Sequence, residues 1–381
     1  MTALTGEEVA RLALVDQHCH PVAAGPLDDA TFEMWCTESQ ASPPSGVSYL
    51  DSHLGHAIRR WCAPALGLPA HSSMMDYLTT RRELSPVEVN KRLLRHANLR
   101  CLLVDTGLPS GGLLTQVDLA EAAGAPTAEV VRLETLADRV ADTTTASRFA
   151  DEFTSALARA LTGGAVAVKS ILAYRYGLDI QPERPTPAEV VAAAGRWLRD
   201  RERQAGQGRL ADPVLLRFLL WSAVDAGRPI QVHTGFGDAD AAVRLSDPAL
   251  LQPFCAATEA AGTPIVLLHC YPYHRQAGWL AHLYPHVYVD LGLTISYLGA
   301  RSTVVLGEFL ELAPFGKVLY SSDAYGLAEL FLVGAAQFRH SLAVVLAGFV
   351  ADGAMTVADT YRIASAVSAG NAVRLYRLPA G

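Results

Sequence analysis

The sequence has little charge, and the charge that it has is not basic. Only 18% of its 381 residues are charged, and 31 Lys and Arg stand against 38 Asp and Glu, which gives a formal net charge of −7. Nucleic-acid-binding proteins usually show a basic face, and disordered chains combine low hydrophobicity with high net charge. Because half of the residues are hydrophobic, we expect a globular protein that does not bind nucleic acid.

Paired cysteines, a leader and long apolar runs are missing as well. The six cysteines are scattered and form no Cys-x-x-Cys pair, which argues against a disulfide framework. Residues 1–11 lack the basic start and the apolar stretch of a signal peptide. We find no apolar run of the roughly 18 residues that would predict a membrane span. The expectation is a cytoplasmic protein without membrane contact.

Eight short apolar runs, rich in Val, Ile and Leu, alternate with longer stretches of helical periodicity. Such runs are typical of parallel strands that are buried on both faces. Eight of them predict an α/β fold, a (β/α)8 TIM barrel, although an open doubly wound sheet shows the same alternation. The predicted strands are 12–16, 101–105, 129–133, 165–169, 229–233, 264–269, 287–291 and 317–321.

One connection is much longer than the others. Residues 21–100 separate the first two predicted strands, whereas a βα loop usually has about 2–6 residues. We therefore predict a helical cap, inserted after the first strand of a single barrel domain that spans residues 1–381. The aromatic residues of the cap pack against the barrel, contact substrate, or do both.

Polar residues stand where the predicted strands end. They are His18 and His20 after the first strand, Lys169, His233 and His269 at the ends of the fourth, fifth and sixth, and Asp323 after the eighth. The carboxyl ends of barrel strands meet at one mouth, where active sites lie. The two histidines of the first strand are two residues apart, so on a strand they point to one side and can share a divalent ion.

Each of these residues has an ordinary structural explanation when it is taken alone. A strand histidine is often a hydrogen-bonded core residue, a strand-end lysine often reaches the surface, and an aspartate after a strand often caps a helix. The combination at corresponding positions of five strands is much less common and favours a metal site. Zinc is the first expectation for histidine-rich ligation, and manganese and iron are the alternatives.

These six residues, with the segments around them, resemble the amidohydrolase superfamily of metal-dependent hydrolases. Within it the chain is similar to the amidohydrolase-2 type and to the FluG-like domain that is found fused to a glutamine-synthetase-like domain. The absence of such a domain here predicts a stand-alone version. The resemblance covers nearly the whole chain and is weakest over residues 21–100. The segments that carry it are 169–178, 232–240, 267–272, 289–292, 321–325 and 371–375.

The resemblance implies one or two divalent ions. The histidine pair and Asp323 would hold one metal, and His233 and His269 a second, with Lys169 carbamylated by CO₂ as a bridging ligand. In superfamily members with one metal, the histidine pair, the fifth-strand histidine and the aspartate hold it, and His269 binds substrate or the activated water. In both versions Asp323 takes the proton of the attacking water.

The implied activity is hydrolysis of an amide or related C–N bond, or of an ester or lactone, in a small-molecule substrate such as a γ-glutamyl amide or an N-acyl amino acid. The alternatives are a decarboxylase or isomerase of the same superfamily with a single metal, and a metal-free binding scaffold. Tyr174, Arg175, Glu134 and His274 are predicted to contact substrate. Arg175 would clamp a carboxylate, and Glu134, at the end of the third strand, would face into the barrel. The sequence leaves a homo-oligomer open.

Overall fold

The fold is known from a computed structural model that describes residues 6–108 and 111–379. Eight strands follow one another in a single sheet in the order in which they occur in the chain, and each neighbouring pair with a described register is parallel. This is the strand order of a (β/α)8 barrel, so the predicted fold class is confirmed. The strands are β1 (Leu14–Cys19), β2 (Leu99–Asp105), β3 (Thr127–Arg132), β4 (Ala167–Ser170), β5 (Ile230–Thr234), β6 (Ile265–His269), β7 (Val287–Asp290) and β8 (Val318–Leu319).

Helices occupy most of the connections. They are α1 (Gly6–Ala10), α2 (Asp29–Met34), α3 (His53–Ala65), α4 (Met74–Glu83), α5 (Pro86–His96), α6 (Gln116–Ala123), α7 (Leu133–Ala141), α8 (Phe149–Thr162), α9 (Leu172–Arg175), α10 (Pro187–Arg203), α11 (Pro213–Ala226), α12 (Gln252–Thr258), α13 (His274–Leu283), α14 (Thr294–Leu298), α15 (Ser302–Phe309), α16 (Ala328–Ala351), α17 (Val357–Ser365) and α18 (Asn371–Tyr376). Short 3-10 turns are Val243–Leu245, Pro248–Leu251, Glu259–Ala261, Gly299–Arg301 and Phe315–Lys317, and a π turn is Ala366–Gly370.

All eight predicted strands are present, but the first and last differ from the prediction. The first begins at Leu14 and continues to Cys19, so His18 lies within the strand. The last has only Val318 and Leu319, because the chain beyond it leaves regular strand geometry. Helix boundaries follow their sequence signals more closely. Asp212 caps α11 by accepting a hydrogen bond from the Val214 amide, and Gly227 ends that helix with φ 66°.

The chain divides into two compact units. Unit 1 comprises Met1–Val104, Leu108–Ala128 and Asp290–Gly381, and unit 2 comprises Asp105–Gly107 and Glu129–Val289. In unit 1, α16 packs against α3, α5 and α15. In unit 2, the aromatic side chains of Phe149, Phe153 and Phe218 meet between α8 and α11.

The helix α16 corrects the expectation that no segment is apolar enough to span a membrane. Its 24 residues have a mean hydropathy of 1.6 over an 18-residue window, but 67% of that window is buried inside the protein. Uninterrupted runs do not reveal it, because Gln337, Arg339 and His340 break the apolar sequence. Since its contacts are with other helices of unit 1, α16 is a core helix.

The segment predicted as a helical cap contains α2, α3, α4 and α5. A buried ion pair attaches α4 to α16: Glu329 is fully buried and accepts hydrogen bonds from Arg81 Nε at 2.7 Å and from the Tyr77 hydroxyl at 2.9 Å. The Arg81 guanidinium also lies 5.1 Å from the centre of the Phe32 ring. The segment is therefore helical as predicted, while its assignment as a cap within one domain stays a prediction.

Candidate metal centre

Unit 1 brings three predicted ligands together. His18 Nε2 lies 3.1 Å and His20 Nε2 lies 3.4 Å from Oδ1 of Asp323. The two imidazole rings stand nearly perpendicular, with their centres 5.1 Å apart. Both histidines are buried, and the Asp323 side chain is 13% exposed. Two imidazole nitrogens and a carboxylate oxygen thus converge on one point, which is the donor set of a divalent-ion site.

The backbone fixes this convergence. The amide of Asp323 donates to the carbonyl of His18 at 3.0 Å, and the amide of His20 donates to the carbonyl of Ala324 at 2.8 Å. The segment after β8 therefore runs alongside the end of β1. Asp323 has φ 49°, a left-handed conformation that is uncommon outside glycine and that aspartate tolerates better than most residues. Strained backbone of this kind is typical of functional sites.

A second aspartate, which the sequence analysis missed, supports the first. Asp16 is fully buried and accepts hydrogen bonds from the amide of Ser322 at 2.8 Å and from its hydroxyl at 2.5 Å. Burial raises the pKa of Asp16 to about 7, although the hydrogen bonds from Ser322 lower it. Because Ser322 directly precedes Asp323, Asp16 holds the backbone that carries the ligand. Its position two residues before His18, on the same side of a strand, is the signal that could have found it.

The other side of β1 is tied to a buried network. Gln17 donates through Nε2 to Asp290 and accepts from the Tyr376 hydroxyl. Asp290 also accepts from the Ser321 hydroxyl at 2.6 Å and from the Gly292 amide at 3.1 Å. These donors satisfy the buried oxygens of the Asp290 carboxylate. This network fixes the β1 backbone between the two histidines and connects it to the C-terminal helix.

An aromatic layer of unit 1 lies against His20. The ring of Tyr325 is centred 6.1 Å from that of His20, and the ring of Trp35 is 5.7 Å from that of Tyr325. Trp35 also lies directly over Gly326: a Cβ at position 326 would come within 2.4 Å of the indole. The segment between β1 and β2 therefore reaches the histidine pair through Trp35.

Unit 2 contains a second cluster of predicted ligands. The rings of His233 and His269 have their centres 4.7 Å apart. The ring of Tyr174, from α9, lies 4.3 Å from that of His233. Both histidines are buried. His233 is the penultimate residue of β5 and His269 is the last residue of β6. The two strands are paired in parallel register, with Thr234 opposite His269.

Lys169 also belongs to unit 2. It is buried in β4, and its register partner in β5 is Gln231. Register partners point to the same side of a sheet, and Gln231 and His233 are two residues apart on their strand, so Lys169 and His233 project to the same face. A protonated amine cannot ligate a metal ion, whereas a carbamylated lysine offers anionic oxygens.

The chain leaves β6 through two consecutive left-handed residues. His269 has φ 68° and Cys270 has φ 64°. The following Tyr271 accepts a hydrogen bond from the Phe236 amide at 2.8 Å, and a Cβ at position 235 would approach its carbonyl oxygen to 2.3 Å. The loops after β5 and β6 are therefore packed backbone to backbone, which only glycine at position 235 permits.

The remaining predicted contact residues all lie in unit 2, and one prediction about them was wrong. Glu134 does not end the third strand: β3 stops at Arg132, and Glu134 is the second residue of α7, where it is buried. Its Oε1 accepts from the Ser170 hydroxyl at 2.7 Å and from the Ile171 amide at 3.0 Å. His274 is buried at the start of α13 and stacks on Tyr271, with ring centres 5.8 Å apart.

Comparison with known proteins identifies the family. The model of the amidohydrolase family matches residues 15–378. The chain belongs to the amidohydrolase family. Among curated proteins it is similar to Protein fluG of Emericella nidulans, with 29% identity over 416 aligned positions that cover 96% of this chain and 46% of that protein. The chain thus spans about half the length of this relative.

Solved structures agree with this family assignment. A provisionally assigned metal-dependent hydrolase from Lactobacillus casei is 27% identical, with a TM-score of 0.87 and coverage of 99% of this chain and 98% of that chain. A uronate isomerase from Thermotoga maritima is 16% identical, with a TM-score of 0.63 and coverage of 97% and 96%. At this lower identity, the likeness to the isomerase concerns the fold alone.

The packing around His233 leads to a testable prediction for this amidohydrolase. A Cβ at Gly237 would lie 2.0 Å from the Tyr174 hydroxyl and 3.1 Å from His233 Nε2. Gly237→Ala should therefore displace the tyrosine ring and lower kcat/KM about 10²-fold, since shifts of about 1 Å in an active site have effects of that size. Steady-state kinetics on a substrate that the enzyme turns over measures the change.

Gly25→Ala is the matched control, because a Cβ at position 25 meets nothing within 4 Å. It should leave kcat/KM unchanged, and both variants should keep the circular dichroism spectrum of the wild type. Equal activity of the Gly237→Ala variant and the wild type would contradict the prediction that Tyr174 contacts substrate.

Proposed function

We propose that this protein is a metal-dependent hydrolase that cleaves an amide or a related C–N bond. The observation that carries the proposal is the approach of His18 Nε2 and His20 Nε2 to one oxygen of Asp323, at 3.1 and 3.4 Å. Membership of the amidohydrolase family supports it. We further propose that His18, His20 and Asp323 hold one divalent ion.

The chemistry of these donors fits such an ion. Two neutral imidazoles and a carboxylate are common zinc ligands, and the same set accepts manganese or iron. The three side chains belong to segments that are hydrogen-bonded to each other through their backbones, so that the donor positions are set before an ion binds. We propose zinc as the metal.

His233 and His269, with a carbamylated Lys169, are the proposed ligands of a second ion. Lys169 is 2% exposed, and a protonated amine cannot ligate a metal ion. Carbamylation would exchange this buried cation for an anion that can bind metal. Without it, only one ion is expected, and His269 is then the residue that hydrogen-bonds the scissile carbonyl.

A divalent ion would lower the pKa of bound water and would polarise the scissile carbonyl. The chain's own residues handle the proton. Asp323 presents a carboxylate that is 13% exposed, so that it can accept the proton of the attacking water and transfer it to the leaving nitrogen. The left-handed backbone at Asp323 and the hydrogen bonds from Ser322 to Asp16 hold that carboxylate in place.

The proposed substrate is a small molecule, either a γ-glutamyl amide or an N-acyl amino acid. Turnover should be tested with zinc-loaded protein against both classes, and against lactones, aromatic carboxylates and uronates. We expect hydrolysis of an amide, its loss on treatment with a chelator, and its return when zinc is added. Metal analysis of the same preparation gives the number of ions for each chain.

The alternatives predict different outcomes of this screen. A decarboxylase or isomerase would convert aromatic carboxylates or uronates and leave amides intact, and that result would reject the hydrolase. A metal-free binding scaffold would be purified without a stoichiometric divalent ion and would not take one up.

A further inference from the structure

Several buried polar atoms of unit 2 have no hydrogen-bond partner within residues 6–108 and 111–379, and two of them belong to side chains of opposite charge. These two are Oε2 of Glu134 and Nη1 of Arg175. Glu134 is 1% exposed. A buried polar atom without a partner is costly, so such atoms are uncommon in folded proteins and ask for an explanation. One negative and one positive side chain, each with an unused buried atom, suggest a ligand with both charges.

Glu134 is held so that only one of its oxygens is used. Oε1 accepts from the Ser170 hydroxyl and from the Ile171 amide, at 2.7 and 3.0 Å. These two residues follow Lys169 directly in the chain. The carboxylate is therefore anchored beside the end of β4, and its second oxygen remains available there.

Arg175 lies among other guanidinium groups that are already paired. Arg132 binds Asp105 at 3.0 and 2.7 Å, and Arg209 binds Asp240 at 2.7 Å. Burial and the neighbouring Arg209 lower the pKa of Arg175, while Glu134 and Asp138 raise it. An incoming carboxylate would compensate this half-buried cation, and arginine binds carboxylates with two parallel hydrogen bonds.

Both residues are connected to the second ligand cluster, Arg175 through the chain and Glu134 through a hydrogen bond. Arg175 directly follows Tyr174, whose ring is 4.3 Å from that of His233. Glu134 is bonded to Ser170, the residue after Lys169. A group bound by Glu134 and Arg175 would thus lie beside the segment 169–175, which carries Lys169 and Tyr174.

We propose that Arg175 binds the carboxylate, and Glu134 the ammonium group, of a substrate with a zwitterionic α-amino acid head. This inference rests on the proposed hydrolase for the reaction, and it selects between the two proposed substrate classes. A γ-glutamyl amide carries both a free ammonium and a free carboxylate. An N-acyl amino acid has no ammonium group and would leave Glu134 Oε2 buried without a partner.

Direct binding measurements on the zinc-loaded full-length chain test the head group without turnover. The probes are L-glutamate, glutarate, which lacks the ammonium, and L-isoglutamine, in which the α-carboxylate is an amide. All three probes keep the γ-carboxylate, so any binding of that group to the metal contributes to all three affinities alike. We expect L-glutamate to bind about tenfold or more tightly than either analogue, because each analogue lacks one charged hydrogen bond.

Two variants assign the two charges. Glu134→Gln keeps an acceptor for Ser170 and Ile171 but removes the negative charge, and should abolish the preference for L-glutamate over glutarate. Arg175→Met should abolish the preference for L-glutamate over L-isoglutamine. Arg209→Gln is the control: it removes a nearby positive charge whose guanidinium is already bound to Asp240, and both preferences should stay within about twofold of the wild type.

The wild-type measurement decides the proposal even if a variant fails to fold. Equal binding of the three probes, or no binding of L-glutamate, would overturn the zwitterionic head. Metal content and amide hydrolysis are measured on the same preparation, so failure of the hydrolase proposal is seen separately. A strong preference for L-glutamate in a protein that hydrolyses no amide would keep the head-group site and reject the reaction.

Discussion

Replacing His20 with alanine is expected to remove bound metal and hydrolytic activity together. His20 is one of two imidazoles that approach Asp323 Oδ1, and loss of one ligand leaves the ion with an incomplete donor set. A divalent ion contributes several kcal/mol to transition-state stabilisation, so we expect kcat/KM to fall roughly 10³-fold or more. Metal content by mass spectrometry and steady-state kinetics are the measurements.

The neighbouring Cys19 supplies the control. It lies between the two histidines in the sequence, but its thiol is buried and bonds to the carbonyl of Leu103 at 3.5 Å. Cys19→Ser should keep the metal and the activity. If His20→Ala retains full turnover, or if Cys19→Ser loses metal to the same extent, the assignment of the ligands is wrong.

The second large effect concerns stability. Arg81→Met should lower the free energy of unfolding by about 3–5 kcal/mol, because it leaves the fully buried carboxylate of Glu329 without its cation. Tyr77 alone remains to donate to that oxygen. The shift of the denaturation midpoint in urea measures the loss.

Arg82 is adjacent in the same helix and gives a matched comparison. It pairs with Asp29, but both side chains are about half exposed. Exposed ion pairs contribute about 0–1 kcal/mol, so Arg82→Ala should leave the midpoint nearly unchanged. Similar midpoints for the two variants would show that the Arg81 pair contributes no more than a surface pair.

The sequence predicted the fold because each parallel strand contains a short apolar run that is buried. The pair His18 and His20 was recognisable because the side chains of a strand alternate, and two imidazoles two residues apart share a side. Hydrophobic periodicity says less about where a strand ends. This is why the first strand was predicted to stop before the histidines, and why Glu134 was assigned to a strand and not to the helix that follows.

Other features of the candidate site depend on partners that are distant in the sequence. The hydrogen bonds of Asp16 to Ser322 join residues 306 positions apart. The left-handed conformations of Asp323, His269 and Cys270 are imposed by the surrounding packing, since none of these residue types requires them. The buried pair of Arg81 and Glu329 likewise joins two helices whose proximity no local pattern reveals.

The contact of Trp35 with Gly326 connects the segment between β1 and β2 to the histidine pair. Position 326 tolerates only a hydrogen atom while the indole lies above it. A larger residue at position 326 would push Trp35 away from Tyr325 and so disturb the aromatic surface that faces His20. If residues 21–100 are replaced by the corresponding segment of a relative, the segment after β8 should be replaced with it, so that the residues at positions 35 and 326 still fit each other. A chimera designed to change the substrate range should therefore include both segments.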